Sequence, residues 1–155
     1  MIAILGDTHL PRGSRRLPDR CLALLRAATC IVHTGDLVSV AALEELERLA
    51  PVHAVHGNAD EPAVRERLPA RLAVDLEGQR VGVVHDAGPR TGRHARLRDW
   101  FPNCDLIVYG HSHLPELERV DGGWIVNPGS PTERRRSPAR SMAIVEGGKP
   151  RIVEL

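Results

Sequence analysis

The chain has 155 residues, in which 21 Lys and Arg against 20 Asp and Glu leave a formal net charge of +1. That length suits a single domain, residues 1–155, with a core of its own, and removes any need for disulfides or a structural metal as bulk. The balanced charge excludes a general electrostatic drive toward nucleic acid or membranes, so a polyanionic partner would require a local patch.

The first expected strand, Ile2 to Leu5, leaves no room for a signal peptide, and no apolar run approaches the length of a membrane span. A cytoplasmic protein is therefore expected. A basic loop, Leu10 to Arg16, leads to a helix opened by Leu17-Pro18-Asp19, with proline in its first turn and Leu17, Cys21, Leu24, Leu25 and Ala28 on one apolar face. After a strand at Cys30 to His33, Ser39 caps a helix whose Leu43, Leu46 and Ala50 form the buried stripe, and Pro51 stops it before a strand at Val52 to Val55. This β-α-β-α-β series predicts parallel strands joined by right-handed crossovers.

Glu61 to Leu68 reads as a short helix, Leu72 to Leu76 as a strand, and Glu77-Gly78-Gln79 as the turn into Arg80 to His85. A helix from Thr91 carries Leu97, Trp100 and Phe101 inward and ends before Pro102, ahead of a strand at Leu106 to Tyr109. Two hairpins follow, Leu117 to Val120 with Trp124 to Val126, and Met142 to Val145 with Arg151 to Leu155. The pattern predicts an α/β protein of two packed sheets with helices outside. Cys21, Cys30 and Cys104 are odd in number and lack C-x-x-C spacing, which points to reduced thiols and away from a thiolate zinc site.

Five apolar runs stop at groups able to bind metal. Ile2 to Leu5 runs into Gly6-Asp7-Thr8-His9, Cys30 to His33 into Thr34-Gly35-Asp36, and Val52 to Val55 into His56-Gly57-Asn58. Val81 to Val84 stops at His85, and Leu106 to Tyr109 at Gly110-His111-Ser112-His113. Each motif alone has a plain structural reading: a turn for Asp7 and Asn58, a helix cap for Asp36, a core histidine for His85. Their joint occurrence carries the signal, because strand carboxyl ends in an open α/β sheet converge on one crevice.

In these motifs, D-T-H at Asp7 to His9, G-D at Gly35 and Asp36, G-N-A-D at Gly57 to Asp60, His85, G-H-S-H at Gly110 to His113 and N-P-G-S at Asn127 to Ser130, the chain resembles the calcineurin-like metallophosphoesterases. Within that family it is similar to the small bacterial and archaeal phosphodiesterases. The resemblance spans essentially the whole chain. It implies a four-layer α/β/β/α sandwich of two mixed sheets flanked by helices. It further implies two divalent cations, one on Asp7, His9, Asp36 and His113, the other on Asp36, Asn58, His85 and His111, with Asp36 bridging. Two cations about 3.5–4 Å apart hold both a nucleophilic hydroxide and the phosphoryl oxygens of an in-line displacement. Manganese is the first expectation; iron, nickel, cobalt and zinc suit the same nitrogen and oxygen ligands.

The implied activity is hydrolysis of a phosphodiester in a small substrate, with no membrane and no long nucleic acid as partner and the oligomeric state left open. Ala59 departs from relatives that carry a histidine there to protonate the leaving oxygen, which puts the phosphoprotein phosphatases and nucleases of the family in doubt. His33, Asp60 and Asp86 are expected behind the ligands, Asp86 either orienting His85 or lying as a solvated turn acid. Arg134, Arg135 and Arg136 have two readings, a grip on substrate phosphate or an exposed charge run. The rival from another class is a scaffold of the retromer-subunit type on the same fold; monoester hydrolysis and nuclease activity are the enzymatic alternatives.

Overall fold

The computed structural model describes residues 1–155, which form, in chain order, β1 (Ile2–Leu5), α1 (Asp19–Ala27), β2 (Cys30–His33), α2 (Val40–Glu47), β3 (Val52–Ala54), α3 (Pro62–Arg67), β4 (Arg71–Leu76), β5 (Gln79–Val84), α4 (Arg93–Trp100), β6 (Leu106–Val108), β7 (Glu116–Val120), β8 (Gly123–Asn127), β9 (Ser141–Glu146) and β10 (Lys149–Glu154). The strands divide into two five-stranded sheets, ordered β10-β9-β1-β2-β3 and β4-β5-β6-β8-β7. In the first, β1, β2 and β3 are parallel and the β9-β10 hairpin adds antiparallel to β1. In the second, β5, β6 and β8 are parallel, with β4 and β7 antiparallel at the two edges. Each sheet thus sends three parallel strands in one direction. Their carboxyl ends carry all the metal-binding motifs.

Strands buried on both faces need apolar residues at every position, and Ile2 to Leu5 and Leu106 to Val108 are buried throughout. Between the sheets lie Ile4, Val32, Val81, Val83, Val108 and Val126, among others. The outer face of the first sheet meets Cys21 and Leu25 of α1 and Leu43 and Leu46 of α2. The outer face of the second meets Leu97 of α4 and Phe101. Helix, sheet, sheet, helix is the expected layering.

Local differences from the sequence reading have simple causes. Pro18 is the N-cap of α1 and lies outside its first turn, with ψ 150°; Ser39 does cap α2, accepting the Ala42 N–H at 3.2 Å. Trp100 is half-buried at the rim of the α4 layer, where the Arg71 guanidinium covers its ring at 3.6 Å from the centroid. The five motif-bearing strands do not share one sheet: three belong to the first and two to the second. The crevice therefore lies between two sheet ends, which brings more loops into it than one sheet could supply. Cys21, Cys30 and Cys104 are free and buried, and no helix is long and apolar enough to cross a membrane.

Candidate metal centre

All seven residues expected as ligands leave strand ends at the same edge of the sandwich. Five of them adopt the left-handed backbone that non-glycine residues avoid: Asp7 (φ 53°), His9 (φ 48°), Asp36 (φ 59°), His111 (φ 69°) and His113 (φ 59°). Such residues cost on the order of 1–3 kcal/mol each and persist where surrounding contacts over-determine them, which they do at functional sites. Glycines let the loops meet: a Cβ on Gly110 would stand 2.9 Å from Asp7 Oδ2, and one on Gly57 would collide with the Asp36 carboxylate.

The donors fall into two groups. In one, His9 Nε2 and His113 Nε2 face each other at 3.2 Å, with Asp7 Oδ1 3.4 Å from His113 Nε2. In the other, Asn58 Oδ1 lies 3.0 Å from both His85 Nε2 and His111 Nδ1, which are 3.3 Å apart. Asp36 stands between them, Oδ2 3.7 Å from His9 Nε2 and Oδ1 3.5 Å from His85 Nε2. Its two oxygens thus address different groups, as a bridging carboxylate must. Asp7 also reaches both sides, since its carboxylate clusters with Asp36 and His85 as well as with His9 and His113. Asp7, His9, Asp36, His85 and His113 are buried, whereas Asn58 and His111 are exposed at the mouth of the crevice.

Protons alone do not satisfy this arrangement. The Nδ1–H of His85 donates to the Thr34 carbonyl at 2.9 Å, so its Nε2 presents a lone pair to Asn58 Oδ1, another acceptor. Likewise His113 Nδ1–H donates to the Glu133 carbonyl at 3.2 Å, which turns its Nε2 lone pair inward. Asp7 Oδ1 is buried with no donor at all. Ligand atoms each about 2.1 Å from a cation and 90–109° apart would be separated by about 3.0–3.4 Å, close to the spacing found. Converging lone pairs around two buried carboxylates fit divalent cations.

The electrostatics agree. Burial, reinforced by the neighbouring Asp36, pushes the Asp7 carboxyl well above the usual range, the sign of an anion short of a counter-charge. Burial also lowers His9 and His85, and takes His33 and His113 down to about 4, so these imidazoles are neutral at pH 7 and those of His9, His85 and His113 are available as ligands. Between about pH 4 and the ordinary value of 6.5, the native state holds fewer protons on these four rings than the unfolded chain does. Acidification through that window favours unfolding; Asp7, raised, opposes this as a single group. Protein stripped of metal is therefore expected to lose several degrees of Tm between pH 7 and pH 5, because about 1 kcal/mol moves Tm by about 2–4 °C at this size. A calorimetric Tm that stays flat or rises over this interval would contradict the burial of neutral histidines.

The remaining sequence candidates separate clearly. Asp60 is buried and accepts three backbone N–H groups, from Asp36 (3.0 Å), Val38 (2.5 Å) and Gly57 (2.6 Å), so it ties the Asp36 and Asn58 loops together from behind. His33 accepts the Gly35 N–H at 3.1 Å on Nδ1 and contacts Thr8 Oγ1 at 3.2 Å through Nε2, linking two ligand loops without facing the centre. Asp86 is exposed and accepts the Gly88 N–H at 2.7 Å, a turn contact; the Thr34 carbonyl is what holds the His85 ring. Of the arginine run, all exposed, Arg134 folds back to the Pro138 carbonyl at 3.0 Å, Arg136 makes no side-chain hydrogen bond or ion pair, and Arg135 pairs through Nε with the Glu133 carboxylate at 3.7 Å, on the residue whose carbonyl holds His113.

Sequence reasoning missed the braces. Asn127 donates to the Gly110 carbonyl at 3.0 Å, Ser130 to the Asp7 carbonyl at 2.8 Å and Thr132 to the Thr8 carbonyl at 2.8 Å. The N-P-G-S turn was the visible signal; its hydrogen-bond partners were not. Arg65 braces the Asn58 loop by donating to the Asn58 (2.6 Å) and Asp60 (2.9 Å) carbonyls. On a separate face His94 pairs with Glu118 at 3.0 Å beside Glu116, which Arg93 and Tyr109 also engage.

With the geometry established, comparison with known proteins gives a consistent result. The calcineurin-like phosphoesterase superfamily domain matches residues 1–149. A probable metallophosphoesterase of Methanothermobacter thermautotrophicus is 34% identical over 152 residues, covering 96% of this chain and 88% of that protein. Vps29 of Entamoeba histolytica, solved in complex with zinc, superposes with a TM-score of 0.76 at 23% identity, over 99% of this chain and 97% of its own. An archaeal phosphodiesterase superposes with a TM-score of 0.73 at 20% identity, over 99% of both chains. The two structural likenesses are statements of fold. The family match and the archaeal relative go further, and the chain belongs to the calcineurin-like phosphoesterase superfamily.

Proposed function

We propose that this protein is a cytoplasmic two-metal phosphodiesterase acting on a small substrate, with Asp7, His9, Asp36 and His113 holding one divalent cation and Asp36, Asn58, His85 and His111 the other. The observation that carries the proposal is the convergence of proton-free donors, in two groups joined by the Asp36 carboxylate. When bound, the cations supply a water-derived nucleophile at neutral pH and offset charge developing on the phosphoryl oxygens. The ligand types accommodate manganese first, and iron, nickel, cobalt or zinc as well.

The chain's own residues do the positioning. Thr34 and Glu133 carbonyls fix the rings of His85 and His113, and Asp60 holds the Asp36 loop, so the donors need no rearrangement when charge develops. Arg135 pairs with Glu133, whose carbonyl holds the His113 ring, and a guanidinium fork there matches phosphoryl oxygens. Arg135→Ala should raise KM for an anionic diester about tenfold, the worth of one charge-assisted hydrogen bond, while Arg134→Ala should alter it by less than about twofold. Equal effects from the two, or none, would remove Arg135 from the substrate site.

The direct test is turnover of a panel of mono- and diesters by protein loaded in turn with each of the five metals, then by the chelated protein. Hydrolysis of bis(p-nitrophenyl) phosphate that disappears on chelation supports the proposal. Undiminished turnover after chelation overturns the two-metal reading, a preference for monoesters overturns the diester assignment, and inactivity with every metal favours the scaffold alternative.

A further inference from the structure

The geometry points to Arg71 as the residue that selects substrate, by binding an anionic group on one ester arm of the phosphodiester; this rests on the function proposed above. The crevice continues past Asn58, His85 and His111 into an open cavity of about 410 Å³, with Arg65 and Arg71 among its lining residues. Cavities of this size hold whole small molecules. A phosphoryl group gripped at the metal ligands leaves most of that space for the rest of the substrate.

Register places Arg71 close to the chemistry. It is the first residue of β4 and pairs with Val84, the last residue of β5, directly before the ligand His85. The central carbon of its guanidinium lies over the Trp100 ring, 3.6 Å from the centroid. That contact holds the group in place and leaves its N–H donors unused, for Arg71 forms no side-chain hydrogen bond or ion pair within the chain. Arg65, its companion on the same wall, spends Nε and Nη2 on the carbonyls of Asp60 and Asn58, which leaves Nη1 as its one uncommitted nitrogen. Asp86, on the same cavity wall, accepts the Gly88 N–H and forms no ion pair with Arg71.

A planar, pre-oriented fork with unused donors suits a group that accepts two parallel hydrogen bonds, which means phosphate or carboxylate. The substrate class is thus a phosphodiester bearing a second anion on one arm, with the diester phosphorus at the metal ligands and the second anion at Arg71. A neutral arm of the same length would fill the cavity and leave the guanidinium without a partner. Selectivity follows from that difference.

The test compares three p-nitrophenyl phosphodiesters whose second arm is butyl, 3-carboxypropyl or 4-phosphobutyl. Wild-type protein should favour at least one anionic arm over butyl by about 10- to 100-fold in kcat/KM, mainly through KM, and the order of carboxylate and phosphate identifies the natural anion. In Arg71→Ala the ratio of anionic to butyl arm should collapse to within about twofold of one, with Arg71→Lys recovering part of it. A ratio unchanged in Arg71→Ala, or an equal loss for all three esters as expected of a purely structural stack on Trp100, would overturn the assignment. Calorimetric titration with 4-phosphobutyl and butyl methylphosphonate, which have no nitrophenyl leaving group, reads the same subsite without turnover. If no ester is hydrolysed yet Arg71→Ala still erases the affinity difference between these two, the function falls and the anion subsite stands; if the affinities never differed, the subsite falls as well.

Discussion

Asp36→Asn is expected to lower kcat/KM for a nitrophenyl diester by roughly 10³-fold or more while leaving the chain folded. The carboxylate presents one oxygen toward His85 at 3.5 Å and the other toward His9 at 3.7 Å, and an amide replaces one of them with an NH₂ group that cannot coordinate. Two-metal charge stabilisation is worth several kcal/mol, and each decade of rate corresponds to about 1.4 kcal/mol, so three decades is a modest forecast. Folding should survive because the amide oxygen can still accept the Ala59 N–H now held at 2.7 Å, and because a like charge beside Asp7 is removed. Kinetics measured alongside a thermal melt check both halves. A rate within tenfold of wild type would show that Asp36 does not bridge.

The second large effect concerns the leaving group. Ala59 is pinned by its N–H to Asp36, so a side chain at this position starts beside the centre, and a methyl group has no proton to give. Asp60 cannot substitute, since its carboxylate is occupied by three backbone amides. The departing alkoxide must rely on cations and water, and the rate should depend steeply on how acidic the leaving alcohol is, nitrophenyl esters far outpacing alkyl esters. Ala59→His should supply general acid help of about 10²–10⁴-fold, concentrated on the poor leaving groups, and so flatten the dependence. A shallow slope in the wild type would assign the proton to another group, with His56, half-buried on the wall of the same crevice, as the first to test.

Much of this was legible in the sequence because the fold is built from runs whose pattern has one physical solution. Ile2 to Leu5 and Leu106 to Val108 are apolar without alternation, which only a strand covered on both faces permits, and both proved buried throughout. Ser39 announced its helix by chemistry, and it does accept the Ala42 N–H. What the sequence could not carry was the relation between strands. The metal-binding loops come from two sheets packed face to face with their strand ends along one edge, and although the pattern pointed to two sheets it did not say which strand belonged to which. Contacts made by backbone atoms were equally invisible: Thr34 and Glu133 hold His85 and His113 through carbonyls, which every residue possesses. The arginine run shows the same limit, because three identical neighbours became a loop tie, a partner of Glu133 and an uncommitted residue only when the chain turned between Thr132 and Ser141. Left-handed backbone at five of the candidate ligands is the clearest mark of function, and it belongs to the folded chain alone.

The central claim, that seven side chains form one centre for two cations, is tested most directly by crystals grown with manganese and measured at the manganese absorption edge. Two anomalous peaks are predicted, one against His9 and His113, the other against Asn58, His85 and His111, with the Asp36 carboxylate between them. A single peak, or none at these residues, would contradict it.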